Sequence, residues 1–281
     1  MFYSLNEDLE PICEINIKIL NDIYEINLNK IIRKTNFVTT YEGLNIINNT
    51  KIIIDKYNTN ILTLCKKISN NIITLTHPNI INIIEIIIEK NTAYIIKEFY
   101  QININNYINK NLIRTEHINY CRQIFEGIYY LFTKNINIET LYIDNIFIEN
   151  NKVIISPYFG EDKSKHQNIL YGSPLYSPPE LFNKYIPEKE SIIVWNLGII
   201  FYQLLFNKSP FENCKEYDDI LDNKLYDKLY DKYNDLTDII FKMIDTNKHK
   251  RSTLSDVKYF FDNTNNNTNN NNTVEEIFDI D

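Results

Sequence analysis

Val194-Trp195-Asn196-Leu197-Gly198-Ile199-Ile200-Phe201-Tyr202 lies in an apolar run, Val194 to Phe206, that suits a buried helix. Upstream, Ile118 to Thr133 places apolar residues at helical spacing. Between these segments, Ile146-Phe147-Ile148 and Val153-Ile154-Ile155 are strand-like runs joined by the turn residues Glu149-Asn150-Asn151-Lys152, which predicts a hairpin. Further out, from Tyr24 to Tyr100, short β-rich runs such as Lys51-Ile52-Ile53-Ile54 and Ala93-Tyr94-Ile95-Ile96 flank one segment, Asn60 to Ile73, with helical character. The pattern is a small sheet carrying one helix, followed from Gln101 by a mainly helical region, an α+β arrangement.

The 281 residues suffice for one large domain or two small lobes, and 44% hydrophobic with 23% charged residues is ordinary globular usage. Only 5 glycines, against heavy use of isoleucine and asparagine, report a biased genome more than a special architecture. A net charge of −8 opposes nucleic-acid binding, because the average field repels phosphates. Cys13, Cys65, Cys121 and Cys214 form no C-x-x-C pair and read as buried thiols. The first residues lack a basic region followed by an apolar core, and no stretch has the ~18 uninterrupted apolar residues of a membrane span. The expectation is an intracellular, cytoplasmic protein without membrane or nucleic-acid partners. After Phe261 the asparagine-rich sequence is too polar to offset its ordering entropy and reads as a flexible tail, ending in the acidic and apolar residues Val274 to Asp281.

Six pieces in order resemble the eukaryotic protein kinase superfamily. His77-Pro78-Asn79-Ile80-Ile81 is similar to the His-Pro-Asn-Ile-Val before the fourth strand, and Tyr120 to Leu131 to the long helix preceding the catalytic loop. Gly172-Ser173-Pro174-Leu175-Tyr176-Ser177-Pro178-Pro179-Glu180 resembles the end of the activation segment, and the run at Val194 the helix after it. Lys208-Ser209-Pro210-Phe211 and Lys250-Arg251-Ser252-Thr253 match two later landmarks. The resemblance implies a two-lobed kinase-like fold: an N-terminal extension over 1–23, a small lobe over 24–100, a large lobe over 101–261 and a tail over 262–281. It also implies a buried ion pair between Glu180 and Arg251.

The chemistry that the family needs is a glycine-rich phosphate loop, a strand lysine paired with a helix glutamate, a catalytic aspartate and asparagine, and a metal-binding aspartate. On the overlay, the loop glycines fall on Arg33, Thr35 and Val38, whose side chains keep the backbone from the phosphates. The lysine position is Asp55, and Lys56 points to the opposite strand face. The helix glutamate is Ile68, the catalytic aspartate Thr140 and the metal-binding aspartate Tyr158. Glu139 replaces the arginine that reads an activation-loop phosphate, and only Asn145 survives among the polar catalytic positions. By contrast Gly127, Gly160, Gly172 and Gly198 occupy structural glycine positions, so the loss is selective for chemistry.

The implied core is apolar throughout. Ile72, Ile83, Ile138 and Phe159 fill the stack between lobes, and Ile193 replaces the helix aspartate that normally ties the catalytic loop. Ile53 and Phe147 would fill the nucleotide pocket. Asp55 and Lys97, on neighbouring strands in the family, are candidates for a compensating pair, the alternative being that Lys97 reaches solvent. The resemblance thus implies a pseudokinase, a regulatory or protein-interaction module without cofactor or metal, with an active kinase or a kinase substrate among its candidate partners. Two alternatives bring back ATP. One is a divergent serine/threonine kinase using Glu139 or Asp144 as base and Glu161 or Asp162 with magnesium; the other is an ATP sensor gripping phosphates with Arg33, Lys34 and Lys56.

Overall fold

The computed structural model describes residues 16–34, 38–57, 72–90, 92–108, 112–136, 138, 141–159, 176–183, 188–211 and 234–268. Most of the helix expected over 60–73, Thr35, Ile68, Glu139, Thr140, Gly160, Glu161, Asp162, Gly172 and the tail beyond 268 therefore lie outside the described residues. The chain divides into two compact units, Met1–Thr74 with Asn82–Phe99, and Leu75–Ile81 with Tyr100–Asp281.

The first unit is built on an antiparallel six-stranded sheet: β1 (Ile17–Leu20), β2 (Tyr24–Lys34), β3 (Val38–Asn45), β4 (Thr50–Tyr57), β5 (Ile83–Glu89) and β6 (Thr92–Glu98), in the order β1-β2-β3-β4-β6-β5. Isoleucine, stiff at its branched β-carbon, favours these extended segments. One face gathers Leu20, Tyr24, Ile26, Tyr41, Ile52, Ile54, Ile87, Tyr94 and Ile96 into a core. The sheet curls enough that Lys18 on β1 reaches Glu89 on β5 at 2.5 Å and donates to the Tyr94 hydroxyl at 2.7 Å. Central strands are buried on their other face too, where Ile53, Asp55, Tyr57, Ala93, Ile95 and Lys97 are all covered. That double burial explains the continuous apolar runs in β4 and β6.

In the second unit, α1 (Ile104–Ile108) and α2 (Arg114–Thr133) precede a 3-10 turn at Ile143–Asn145 and the hairpin β7 (Ile146–Glu149) and β8 (Lys152–Ile155). Asn150 and Asn151, at φ 50° and 64°, supply the two left-handed residues of a tight hairpin turn. After a 3-10 turn at Pro179–Asn183 come α3 (Lys189–Phe206), α4 (Asn234–Met243) and α5 (Leu254–Thr268). Burial of α3 is nearly complete from Ile193 to Leu205, as its apolar run predicts. A β-carbon on Gly198 would lie 2.6 Å from Ile244 Cγ2 and 2.9 Å from Met243 Cβ, so glycine lets the chain around α4 approach α3. On α2, Gly127 gives the same close approach to Ile155 and Ile80.

Three boundaries differ from the sequence reading. The sheet begins at Ile17 within the expected 1–23 extension, because a short strand gains the Lys18 contacts to β5 and β6. Residues 75–81, expected in the small lobe, belong to the second unit. There Asn79 Nδ2 donates to Val153 O at 2.9 Å and Gln123 Oε1 at 3.0 Å, while Ile81 N donates to Ile155 O at 2.8 Å. His77 stacks on Tyr130 at 4.8 Å and accepts from Asn79 N at its Nδ1; burial, then the charge of Lys152, lowers its pKa and favours that neutral ring. Finally α5 continues beyond 261, where Arg122 Nη2 on α2 donates to Phe261 O and, at 3.0 Å, to Thr264 Oγ1. No helix among the described residues is long and apolar enough to cross a membrane.

Candidate functional site

β2 and β3 carry the positions of the phosphate loop. Arg33 is paired with Thr40 and Lys34 with Thr39, while Val38 is buried and paired with Tyr57. Neighbouring residues on a strand point to opposite faces, so the pairing sorts the basic side chains. Arg33 shares a face with Thr40 and Asp55; Lys34 shares the other with Thr39 and Lys56. The three basic residues of the sensor reading do not converge from one face.

Asp55 is 1% exposed and forms an ion pair with Lys97, which is 0% exposed. The register explains the meeting: Asp55 faces Ile95 across β4 and β6, and Lys97, two residues along β6, lies diagonally on the same face. From β3, Thr40 Oγ1 donates to Asp55 Oδ1 at 2.6 Å. One carboxylate thus ties three strands together through charge-assisted hydrogen bonds. Lys97 reaching solvent is excluded by its burial. Ile53, paired with Lys97, is buried as well, as are Ile72 and Ile83 in the same unit.

The catalytic-loop positions lie in the second unit. Helix α2 ends with Ile136 N donating to Leu131 O and Asn135 N to Phe132 O, with Asn135 at φ 55°. Asparagine is among the few residues that adopt this left-handed conformation readily at a helix end. Ile138 is half-buried and bridges Phe159, which is 1% exposed. Asn145 is buried within the 3-10 turn; its backbone accepts from Ser156 N at 2.8 Å, and its side-chain Oδ1 has no hydrogen-bond partner among the described residues. Tyr158, which the overlay puts at the metal-binding position, is 3% exposed. Asp144 Oδ1 accepts from Asn105 Nδ2 at 2.6 Å, and Asp144 O accepts from Asn103 Nδ2 at 2.7 Å, which joins the turn to α1. Phe147 is half-buried and tilted against Tyr100 at 6.3 Å.

The structural pair is present. Arg251 Nη1 and Nη2 donate to Glu180 Oε1 and Oε2 at 2.6 and 2.9 Å, a two-pronged contact that Ser191 Oγ joins at 3.0 Å. Arg251 also donates to Asp245 O and lies over the Trp195 ring at 4.8 Å. Burial alone would raise the Glu180 pKa, yet the hydrogen bonds and charge of Arg251 hold it below the usual carboxylate range. Ile193, 6% exposed, is buried on α3. Sequence reasoning missed Tyr142, which packs edge-on against Tyr176 at 5.1 Å.

The sequence profile described as "Protein kinase domain" matches residues 50–260. This chain belongs to the protein kinase domain family. The match begins after β3, so the phosphate-loop positions precede it. NUAK family SNF1-like kinase 1 of Mus musculus is 30% identical over 146 residues, half of this kinase domain chain and 22% of the relative. The Homo sapiens protein of the same name matches equally, again over 22% of its length. A probable serine/threonine-protein kinase of Dictyostelium discoideum is 25% identical over 238 residues, 79% of this chain and 28% of the relative. The chain therefore matches about a quarter of the length of these relatives. Among solved structures, Rad53 1-466 in complex with AMP-PNP superposes with a TM-score of 0.64 at 17% identity, covering 81% of this chain and 62% of that one, a likeness of fold.

A kinase domain implies ATP and magnesium, so the residues present can be tested against both. Magnesium seeks several hard oxygens in near-octahedral geometry. Of the positions that the sequence overlay assigns to the metal, Asn145 offers one neutral oxygen, Oδ1, and Tyr158 offers no carboxylate. No group of three His, Cys, Asp or Glu side chains among the described residues is placed to hold a metal. Asp55, which the sequence overlay puts at the phosphate-gripping position, is a carboxylate already held by Lys97 and Thr40. These residues do not fit a magnesium–triphosphate.

Proposed function

We propose that this kinase domain is a pseudokinase, catalytically inactive and acting as a regulatory or protein-interaction module. The observation that carries the reading is the buried Thr40–Asp55–Lys97 network. A cation that should meet the phosphates has been exchanged for an anion, and the nearby lysine is engaged by that anion. Phosphoryl transfer depends on neutralising charge that develops on the phosphoryl oxygens, and a carboxylate at this position opposes it. Tyr158 and the lone oxygen of Asn145 support the same reading.

The alternative is a divergent serine/threonine kinase, the activity named for its relatives. Of its described candidate bases, Asp144 is held by Asn105 as a strut between the turn and α1. An active kinase and a kinase substrate are the partners that this inactive reading favours, since a kinase-shaped surface without turnover can engage either; fold alone does not choose between them.

Incubation of purified protein with γ-labelled ATP, magnesium or manganese, and generic serine/threonine acceptors tests the reading. The expected label, on acceptor and on the chain itself, equals that of a protein-free blank. Label above the blank that disappears in Glu139→Ala, Asp144→Ala or Asp162→Ala would overturn it, because loss in those variants assigns the activity to this chain rather than to a contaminant.

A further inference from the structure

Along α2 the contacts to α5 move from Thr264 at Arg122, to Phe261 at Phe125, to Lys258 near Tyr129, so the two helices run antiparallel. A groove of about 320 Å³ lies between them, lined by the rings of His77, Phe125, Tyr129, Tyr130 and Phe261, all within the second unit. Phe125 stacks on Tyr129 at 5.4 Å and His77 on Tyr130 at 4.8 Å, so the aromatic lining is already assembled. Arg122 stands at one end, over the Phe261 ring at 6.0 Å. Its hydrogen bonds go to the uncharged oxygens Phe261 O and Thr264 Oγ1, and neither its Nε nor any carboxylate pairing is satisfied among the described residues. Burial lowers its pKa, while Glu126 and Asp262 raise it by charge at a distance; Asp262 is itself paired with Lys258 at 2.6 Å. The groove thus joins an apolar aromatic wall to a cation that lacks a carboxylate partner.

The chain carries a segment of matching chemistry. Val274-Glu275-Glu276-Ile277-Phe278-Asp279-Ile280-Asp281 combines four apolar with four acidic side chains. It follows α5, whose last residue, Thr268, lies one turn past Thr264, ~6 Å along the axis and at the Arg122 end of the groove. Asn269 to Thr273 intervene, and the six steps from Thr268 to Val274 reach up to ~20 Å, enough to turn back to Arg122. From Arg122 to Thr133 the groove follows α2 for ~16 Å, which eight extended residues cover. So short a tether also presents the segment to the groove at roughly millimolar effective concentration, an advantage that no second copy or free partner has. We propose that Val274 to Asp281 docks in cis in the groove between α2 and α5, its apolar side chains on the aromatic rings and an acid beside Arg122. Docking does not rest on the inactive reading, since a chain that transferred phosphate would keep the same groove and the same segment.

Photo-cross-linking within the full chain tests the docking without ATP. With photoreactive benzoylphenylalanine in place of Phe278, irradiation of dilute protein is expected to join that position to residues 122–133 or 258–262 of the same chain, as mapped by peptide mass spectrometry. Ile277→Asp, which lies outside both the groove and the helices that form it, should lower the yield of groove adducts roughly three- to tenfold, and Tyr129→Glu, with helicity checked by circular dichroism, should do the same. High salt should weaken docking in the parent chain and have less effect on Arg122→Gln, which lacks the charge. Adducts scattered over the surface, adducts between two chains that vanish on dilution, or a yield that both Ile277→Asp and Tyr129→Glu leave unchanged would overturn docking in cis.

Discussion

Lys97→Met is expected to destabilise the first unit by about 3–5 kcal/mol, the usual result of leaving one buried charge without its partner. Methionine matches much of the lysine stem in volume, so packing is largely kept and the loss reports the ammonium. Asp55 would retain only the Thr40 hydroxyl as a partner in this network, in a site 1% exposed. Adding Asp55→Leu should then restore most of the loss or exceed wild type, because an apolar pair of similar volume avoids the desolvation of two ions. Urea unfolding of the four proteins gives the cycle directly. A Lys97→Met cost below about 1 kcal/mol, or a double variant no better than the single, would show that the pair does not hold the strands as the geometry implies.

Arg251→Ala should cost a similar ~3–5 kcal/mol in the second unit, since it strips Glu180 of both prongs and Trp195 of the guanidinium on its face. Arg251→Lys should recover only part, because an ammonium cannot reproduce the planar fork. The depressed Glu180 pKa fixes a pH signature. A carboxyl whose folded pKa is below its unfolded value contributes stability that is complete above the unfolded value, near 4.5, and is lost as pH falls through the folded one. The gap between wild type and Glu180→Gln, measured in urea, should therefore be full at pH 6 and shrink below about pH 4.5. A gap that is constant down to pH 3 would deny the pair this role.

How far the sequence could be read depended on whether a contact was local or repeated a known pattern. The buried run of α3 and the Asn150-Asn151 turn carry their own signals: continuous apolar residues in one case, two left-handed positions in the other. Glu180 with Arg251 and Asp55 with Lys97 could be paired from afar only because the order of motifs supplied the topology. Strand β1 had no comparable signal. Its four residues include Lys18, whose partner Glu89 is distant in the chain, and that long-range contact is what commits the segment to the sheet. Asparagine favours turns over helices, so the extension of α5 to Thr268 runs against local propensity; Arg122 provides contacts to its carbonyl and hydroxyl oxygens. The allegiance of 75–81 rests on Asn79, whose side-chain amide fits a carbonyl that only the folded hairpin presents. Tyr142 was illegible as a ring partner, because edge-on packing against Tyr176 is a property of the tertiary fold.

Calorimetric and thermal-shift titration with ATP, in the presence and absence of magnesium or manganese, tests the central claim most directly. A ligand bound by the folded state alone raises stability by about 2.7 kcal/mol at one hundred times its dissociation constant. The expected result is no heat of binding and no change in melting temperature at millimolar nucleotide with either metal. A saturable, metal-dependent rise that Asp55→Ala leaves in place would contradict the account, for it would show a triphosphate held in spite of the inverted charge.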